Sequence, residues 1–442
     1  MRPDCILAPE TAIHRFIDSL KQPSRVLVAI SGGSDSTGLL LALAKALKIA
    51  PNSNIALCAA TVDHALRDQS ADEARQVAAL CHSLGVPHVT KVWLGDKPKA
   101  GLMAAAREAR YALLAEAADN FHADLAVTAH TLDDQRETLA MRSERSERET
   151  TGIADLVLFD RRLWIARPFL SCLREDIRGD LRAQGVGWID DPSNADPGYE
   201  RVRMRMRLSE TAAIPTTRQA ADERLRLSEQ AGKWLADHFI LHEQGLGYVS
   251  KAGLASDKLL LEYALSRLAA VFGGQPFALG RAQTEKLLAF VAKGAPGRMT
   301  AGRVVFDLRR EGLFLARESR DVMLLALAAG ERGIWDGRFI VQNAENASVL
   351  VGPTGRAGSK AGTSLPKAAS RRAWAASPCL FDPAGEPLPS NDIGKVRLTP
   401  YFAPFDRFLT RFDVIFADSL ADAFGARLYP KPPLGLIDGK TI

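Results

Sequence analysis

The apolar positions of the first third fall in short, β-branched runs separated by longer Ala/Leu-rich stretches with helical spacing. Arg25 to Ile30, Ile55 to Val62, His88 to Leu94 and Asp124 to Ala129 read as strands, and Ser70 to Leu84 and Leu102 to Ala118 as two of the intervening helices. Strands alternating with helices predict βαβ units and hence a doubly wound parallel α/β sheet. Past Pro192 the period changes. Thr217 to Phe239, Lys258 to Val271 and Arg281 to Val291 read as helices with no regular strands between them, so a mainly helical domain is expected over residues 209–330 after an α/β domain over 1–208. From Arg298 short alternating runs return, such as Val304 to Leu308 and Leu313 to Leu315. A small α+β region is expected over 331–442. Within it, Thr354 to Ser377 reads as a linker or insert, and Pro430 to Pro433 as an irregular tail.

Composition narrows the class. A chain of 442 residues accommodates two or three domains, and no stretch has the length and apolarity of a membrane span. The five cysteines are odd in number and scattered, without CxxC or zinc spacing, which fits a reducing cytoplasm and no structural metal. A net charge of +5 does not by itself demand a polyanionic partner, so local clusters of Arg matter more than the total.

The informative chemistry begins where Val26 to Ile30 runs into Ser31, Gly32, Gly33, Ser34, Asp35, Ser36 and Thr37, followed by the helical run Gly38 to Leu47. A strand, a glycine turn and a helix N-terminus make an anion site: backbone N–H groups face the ligand and the serines add hydroxyl donors. Asp35 is the exception in such a nest. It either caps the helix or holds Mg²⁺ against a di- or triphosphate. Leu39 and Leu40 stand where a Walker loop needs Lys and Ser/Thr, and no GxGxxG occurs.

This loop, SGGSDS, resembles the signature of the N-type ATP pyrophosphatases, the PP-loop enzymes, which split ATP between its α and β phosphates. Three further blocks are similar to the tRNA(Ile)-lysidine synthetase family: Val62 to Arg67, Ala104 to Tyr111, and Ala129 to Gln135. The resemblance implies ATP and Mg²⁺ as cofactors, and a ligase that joins free L-lysine to the wobble cytidine of a minor isoleucine tRNA. By position it implies that Asp35, Arg107 and His130 serve the chemistry, with Asp35 as metal ligand. Ser31 to Ser36, His64 and Arg67 would bind nucleotide, and Asp134 and Glu137 the ammonium groups of lysine.

The residues support parts of this independently. His64 and Arg67 follow a strand at its carboxyl end, where open α/β sheets bind ligands. Arg107 and Arg110 lie three apart on one helix and share a face, although solvated helix charge explains them equally. His130, Asp133, Asp134 and Glu137 are expected in the first turns of the helix that follows Ala129, where the spacing of His130, Asp134 and Glu137 makes one stripe and Asp133 is left to the helix cap. Arg167 to Leu170 and Asp191 to Asp196 resemble later family blocks. Arg201, Arg203, Arg205 and Arg207 would make a tRNA-facing stripe if extended, or spread around the axis if helical, with the Met and Val side chains turned inward. Two departures from the family pattern stand out: Val202 where Asn is usual, and the charged run Ser143 to Thr151 in place of a Gly-containing loop. The competing readings are a tRNA thiolase, which the isolated cysteines disfavour, and a non-catalytic RNA-binding protein. The oligomeric state is open, and a homodimer is compatible with the sequence.

Overall fold

The computed structural model describes residues 6–49, 54–66, 69–144, 151–190, 198, 200–208, 218–355, 365–388, 395–437 and 440–441. Arg67, the block Asp191 to Asp196 and most of the charged run, residues 145–150, lie outside the described residues. The chain divides into two compact units, residues 1–222 with 430–442, and residues 223–429. The expected border at 330 therefore falls inside the second unit.

The first unit contains α1 (Pro9–Ser19), β1 (Ser24–Ala29), α2 (Ser34–Ile49), β2 (Ile55–Asp63), α3 (Ser70–Ser83) and β3 (His88–Val92). It continues with α4 (Leu102–Phe121), β4 (Leu125–Val127), α5 (Leu132–Ser143), β5 (Leu156–Phe159), β6 (Leu163–Ala166), α6 (Arg174–Ala183) and α7 (Glu200–Arg207). The strands lie in the order β5-β6-β4-β1-β2-β3. All neighbours are parallel except β5 against β6, so the expected doubly wound sheet is present with an antiparallel strand beside β6. The runs Leu125–Val127, Leu156–Phe159 and Leu163–Ala166 are buried at every position, as strands covered on both faces must be. Because β1 pairs with β2 on one side and β4 on the other, the loops leaving β1 and β4 diverge. The crevice between them is the topological switch point where such sheets bind ligands.

Helix α6 is clamped to α2 at Gly38. A Cβ at Gly38 would stand 2.3 Å from Ile177 Cγ2, and Ile177 is buried. Gly38→Ala gains helix propensity, about 1 kcal/mol, yet it crowds a β-branched side chain with little rotamer freedom. We expect the clash to win, with a net loss of about 1–2 kcal/mol read by denaturant unfolding. An unchanged or raised midpoint would contradict this packing. The proline-rich tail is also docked: Lys21 N–H donates to Pro433 O at 3.1 Å, Gly435 N–H to Ser19 O at 2.7 Å, and the Trp164 indole to Pro430 O at 3.0 Å.

The second unit corrects the sequence reading at two places. Strands Phe239–His242 and Leu246–Ser250 lie between the helices Arg218–His238 and Lys258–Gly273, where none was expected. They join Gly297–Ala301, Val304–Leu308 and Gly312–Arg317 in one sheet. The stretch read as a linker contains the helix Lys367–Ala375, whose Ala369 and Ala373, four apart, pack on Leu246, Phe314 and Ala316. Two three-stranded sheets complete the unit. Asp336 is pinned there by Arg303, Arg317 and Arg338.

Candidate functional site

The turn after β1 is shaped by Gly32, whose φ of +86° is left-handed and whose absent Cβ would meet Ile189 Cδ1 at 2.6 Å. Gly33 has no such crowding; the nearest atom to a Cβ there is Ser31 Oγ at 3.8 Å. The hydroxyls brace the loop. Ser36 Oγ accepts from Ser31 N–H at 3.2 Å and donates to Gly33 O at 3.2 Å, and Thr37 Oγ1 donates to Gly32 O at 3.1 Å. Helix α2 then starts at Ser34, so its dipole points into the turn.

On the other side of the crevice, α5 begins at Leu132 and Thr131 is its N-cap. Thr131 N–H donates to Asp134 Oδ2 at 2.8 Å while Asp134 N–H reaches Thr131 Oγ1, a closed capping box. This overturns two expectations. His130 precedes the helix and shares no helical stripe, and Asp134, not Asp133, serves the cap. Asp133 instead accepts the backbone N–H of Arg174 at 2.8 Å.

Asp35 and Asp134 are joined by a residue the sequence reading gave no role. Arg174, first in α6, donates Nε to Asp35 Oδ2 at 2.9 Å and Nη2 to Asp134 Oδ1 at 3.1 Å. Burial raises the Asp35 carboxyl above its ordinary value against the pull of Arg174. For Asp134 burial acts the same way, but Arg174, His130 and the Thr131 amide outweigh it and hold the carboxyl down. Four residues along α6, Arg178 Nε donates to Ser34 Oγ at 3.3 Å.

His130 shares a 3.0 Å hydrogen bond between its Nδ1 and Thr128 Oγ1. Burial first, then Arg167, Arg107 and Arg201, push its pKa well below the ordinary imidazole value, against Asp134. The ring is neutral at pH 7. Arg107 lies over Tyr111 at 5.1 Å, and Arg107 and Arg201 both repel Arg110. His64 packs edge-on against Trp93 at 6.0 Å. Its Nδ1 is buried without a hydrogen-bond partner among the described residues, and burial and then Arg110 lower its pKa. So much positive charge around neutral imidazoles is the electrostatic setting for a polyanion.

Residues 200–207 are helical, so the extended basic stripe does not form. Val202 and Met204 face inward as α7 packs against α5. Arg205, one turn from Arg201, donates Nε to Glu137 Oε1 at 2.7 Å. Arg203 donates to Gly198 O at 2.8 Å and Arg207 to Glu144 at 3.3 Å, away from His130. The structure thus joins Asp35 and Asp134 through Arg174, and sets Asp134, Arg167, Arg107 and Arg201 as the charges acting on His130. Arg203 and Arg207 stay outside that group.

Residues 7–212 match the ATP_bind_3 model, a PP-loop domain. A tRNA(Ile)-lysidine synthase of Rhizobium meliloti (strain 1021) is 41% identical over 95% of this chain and 96% of its own length. The chain belongs to the tRNA(Ile)-lysidine synthase family. Relatives of the same description from Mesorhizobium japonicum and Brucella melitensis biotype 2 are 38% and 36% identical, covering 92% and 79% of this chain and 94% and 81% of theirs. Membership makes the chain an ATP-using ligase of the PP-loop class.

Within this lysidine synthase family member, the cysteines bear on the thiolase alternative. Cys58, Cys81, Cys172 and Cys379 are free, and burial pushes the first three thiols up to about 11, 11 and 12. Among the described residues none is a reactive thiolate. No group of three or more His, Cys, Asp or Glu side chains able to hold a metal occurs among them either. No described helix is long and apolar enough to cross a membrane.

Proposed function

We propose that this chain attaches free L-lysine to the wobble cytidine of a minor isoleucine tRNA in the cytoplasm. The observation that carries the reading is the convergence of the phosphate loop and the Asp134, His130 and Arg107 cluster on one switch-point crevice, in a chain of this family. In the first half-reaction the C2 oxygen of cytidine bonds to the α phosphorus of ATP, and the bond to the β phosphate oxygen breaks to release pyrophosphate. In the second, the lysine ε-amine bonds to C2 and AMP leaves with that oxygen. The loop Ser31 to Ser36 holds the phosphates. Arg107, with Arg201 beside it, offsets the negative charge of the adenylated centre.

His130, tied to Thr128 and surrounded by the charges of Arg167, Asp134, Arg107 and Arg201, stands near the reacting centre, and the lysine amine sheds its proton before it bonds to C2. Asp134 and Glu137 supply carboxylate for the ammonium groups of lysine. Mg²⁺ fits the donor chemistry of Asp35, a hard carboxylate with one-fifth of its side chain exposed beside the phosphate nest. There one protein oxygen and the phosphates would hold the ion, which would neutralise the pyrophosphate.

The test is transfer of radiolabelled lysine to total tRNA by the full chain with ATP. Lysine-dependent label, with AMP and pyrophosphate formed in equal amounts, is expected. ATP binding without label in tRNA would refute the reading.

A further inference from the structure

Under the reading above, Asp35 and Asp134 each have a cationic ligand to receive, yet every one of their carboxylate oxygens already has a hydrogen-bond partner. Asp35 Oδ2 takes Arg174 Nε and Oδ1 takes the Ser34 hydroxyl at 3.1 Å. Asp134 Oδ1 takes Arg174 Nη2 and Oδ2 takes the Thr131 N–H and hydroxyl. Of these partners only Arg174 is a cation, and its guanidinium occupies the space between the two carboxylates. The Arg174 backbone is anchored by Asp133, and Ile177 locks α6 to α2, so the side chain alone can change partners. Arg178, from the same helix, already touches the first residue of α2 at Ser34. Two guanidiniums thus border the phosphate loop from one helix. A guanidinium matches a phosphate's paired oxygens at least as well as it matches two single carboxylate oxygens.

We infer that Arg174 is a charge-exchange residue. With the loop empty it neutralises Asp35 and Asp134, which otherwise face each other as unpaired carboxylates and repel a polyphosphate. When ATP docks, the guanidinium turns to the β and γ phosphates, with Arg178 as the second clamp. The carboxylates are then released to a metal ion and to the amine. Nucleotide entry therefore opens the acidic sites, which orders the binding steps. This rests on the reading that a triphosphate occupies the loop.

The exchange makes predictions of opposite sign for one substitution in the full chain. Arg174→Ala should weaken ATP and inorganic pyrophosphate binding by about tenfold or more and leave AMP binding unchanged, because AMP lacks the phosphates Arg174 would meet. Without nucleotide, the same variant should bind Mn²⁺ several-fold more tightly, read by electron paramagnetic resonance, since two carboxylates lose their cation. Arg178→Ala should weaken ATP binding with no gain in Mn²⁺ affinity.

A residue that merely pins the loop would give equal losses for ATP and AMP, and that result overturns the inference. No gain in Mn²⁺ affinity overturns it as well. If the Ala variant does not fold, Arg174→Gln, neutral with a similar stem, is read by the same measurements. Failure of lysine transfer by the unsubstituted chain would refute the proposed reaction while leaving these binding results to stand or fall separately.

Discussion

Asp35→Asn is expected to lower turnover by about a hundred- to a thousandfold while changing tRNA affinity less than about twofold, the size of effect seen when one charged transition-state contact is removed. Asn keeps the shape of the side chain and can still accept from Ser34, so the loop retains its bracing. What is lost is the charge beside the phosphate nest, which under the proposed reaction holds Mg²⁺ on the departing pyrophosphate. Arg174 is also left with a single carboxylate, Asp134. Under the proposed reaction the tRNA backbone is held by basic residues other than Asp35, so tRNA affinity should not follow this substitution. Single-turnover adenylation rates beside filter-binding affinities make the comparison. Equal losses in both would mean that Asp35 supports the fold of the tRNA site rather than the chemistry.

The parallel sheet and phosphate loop were legible because each depends on local sequence. A buried β-branched strand followed by a glycine turn and a helix announces itself within a dozen residues, and β1 with Ser31 to Ser36 did so. The pairing across the crevice was not legible, because it is long range. Arg174 stands 139 residues from Asp35 and 40 from Asp134 in sequence, and Arg174-Glu175-Asp176 alone reads as the solvated first turn of a helix. The stripe through His130, Asp134 and Glu137 failed at its first member because spacing arguments need the helix start. One hydroxyl, the N-cap Thr131, moves that start past His130. A Thr three residues before an acidic residue is the capping-box signature, so the sequence did carry this signal. Phe239 to Ser250 escaped for another reason: two strands of four and five residues after a long helix leave too short an alternating run to distinguish from its continuation.

The pair of Glu137 and Arg205 joins a residue expected to bind lysine to one expected to bind tRNA, and the two single substitutions should differ in kind. Glu137 is 2% exposed with Oε2 lacking a partner among the described residues, whereas Arg205 is 40% exposed. Removing Arg205 leaves a carboxylate in the interior without its cation; removing Glu137 leaves a guanidinium that water already reaches. Arg205→Ala should therefore cost about 1–2 kcal/mol of stability, less than a fully buried pair because of Arg205's exposure. Glu137→Gln should cost less stability but raise the KM for lysine about tenfold or more, since a charged hydrogen bond to the ammonium is lost. In the double variant the stability lost with Arg205→Ala should largely return, because no buried charge remains unpaired, while the lysine KM stays high. Thermal unfolding and lysine-dependent kinetics on the four proteins separate these outcomes. Additive stability losses would show that Glu137 does not depend on Arg205 for its charge. An unchanged lysine KM in Glu137→Gln would remove Glu137 from the amino acid pocket, leaving Asp134 as its carboxylate.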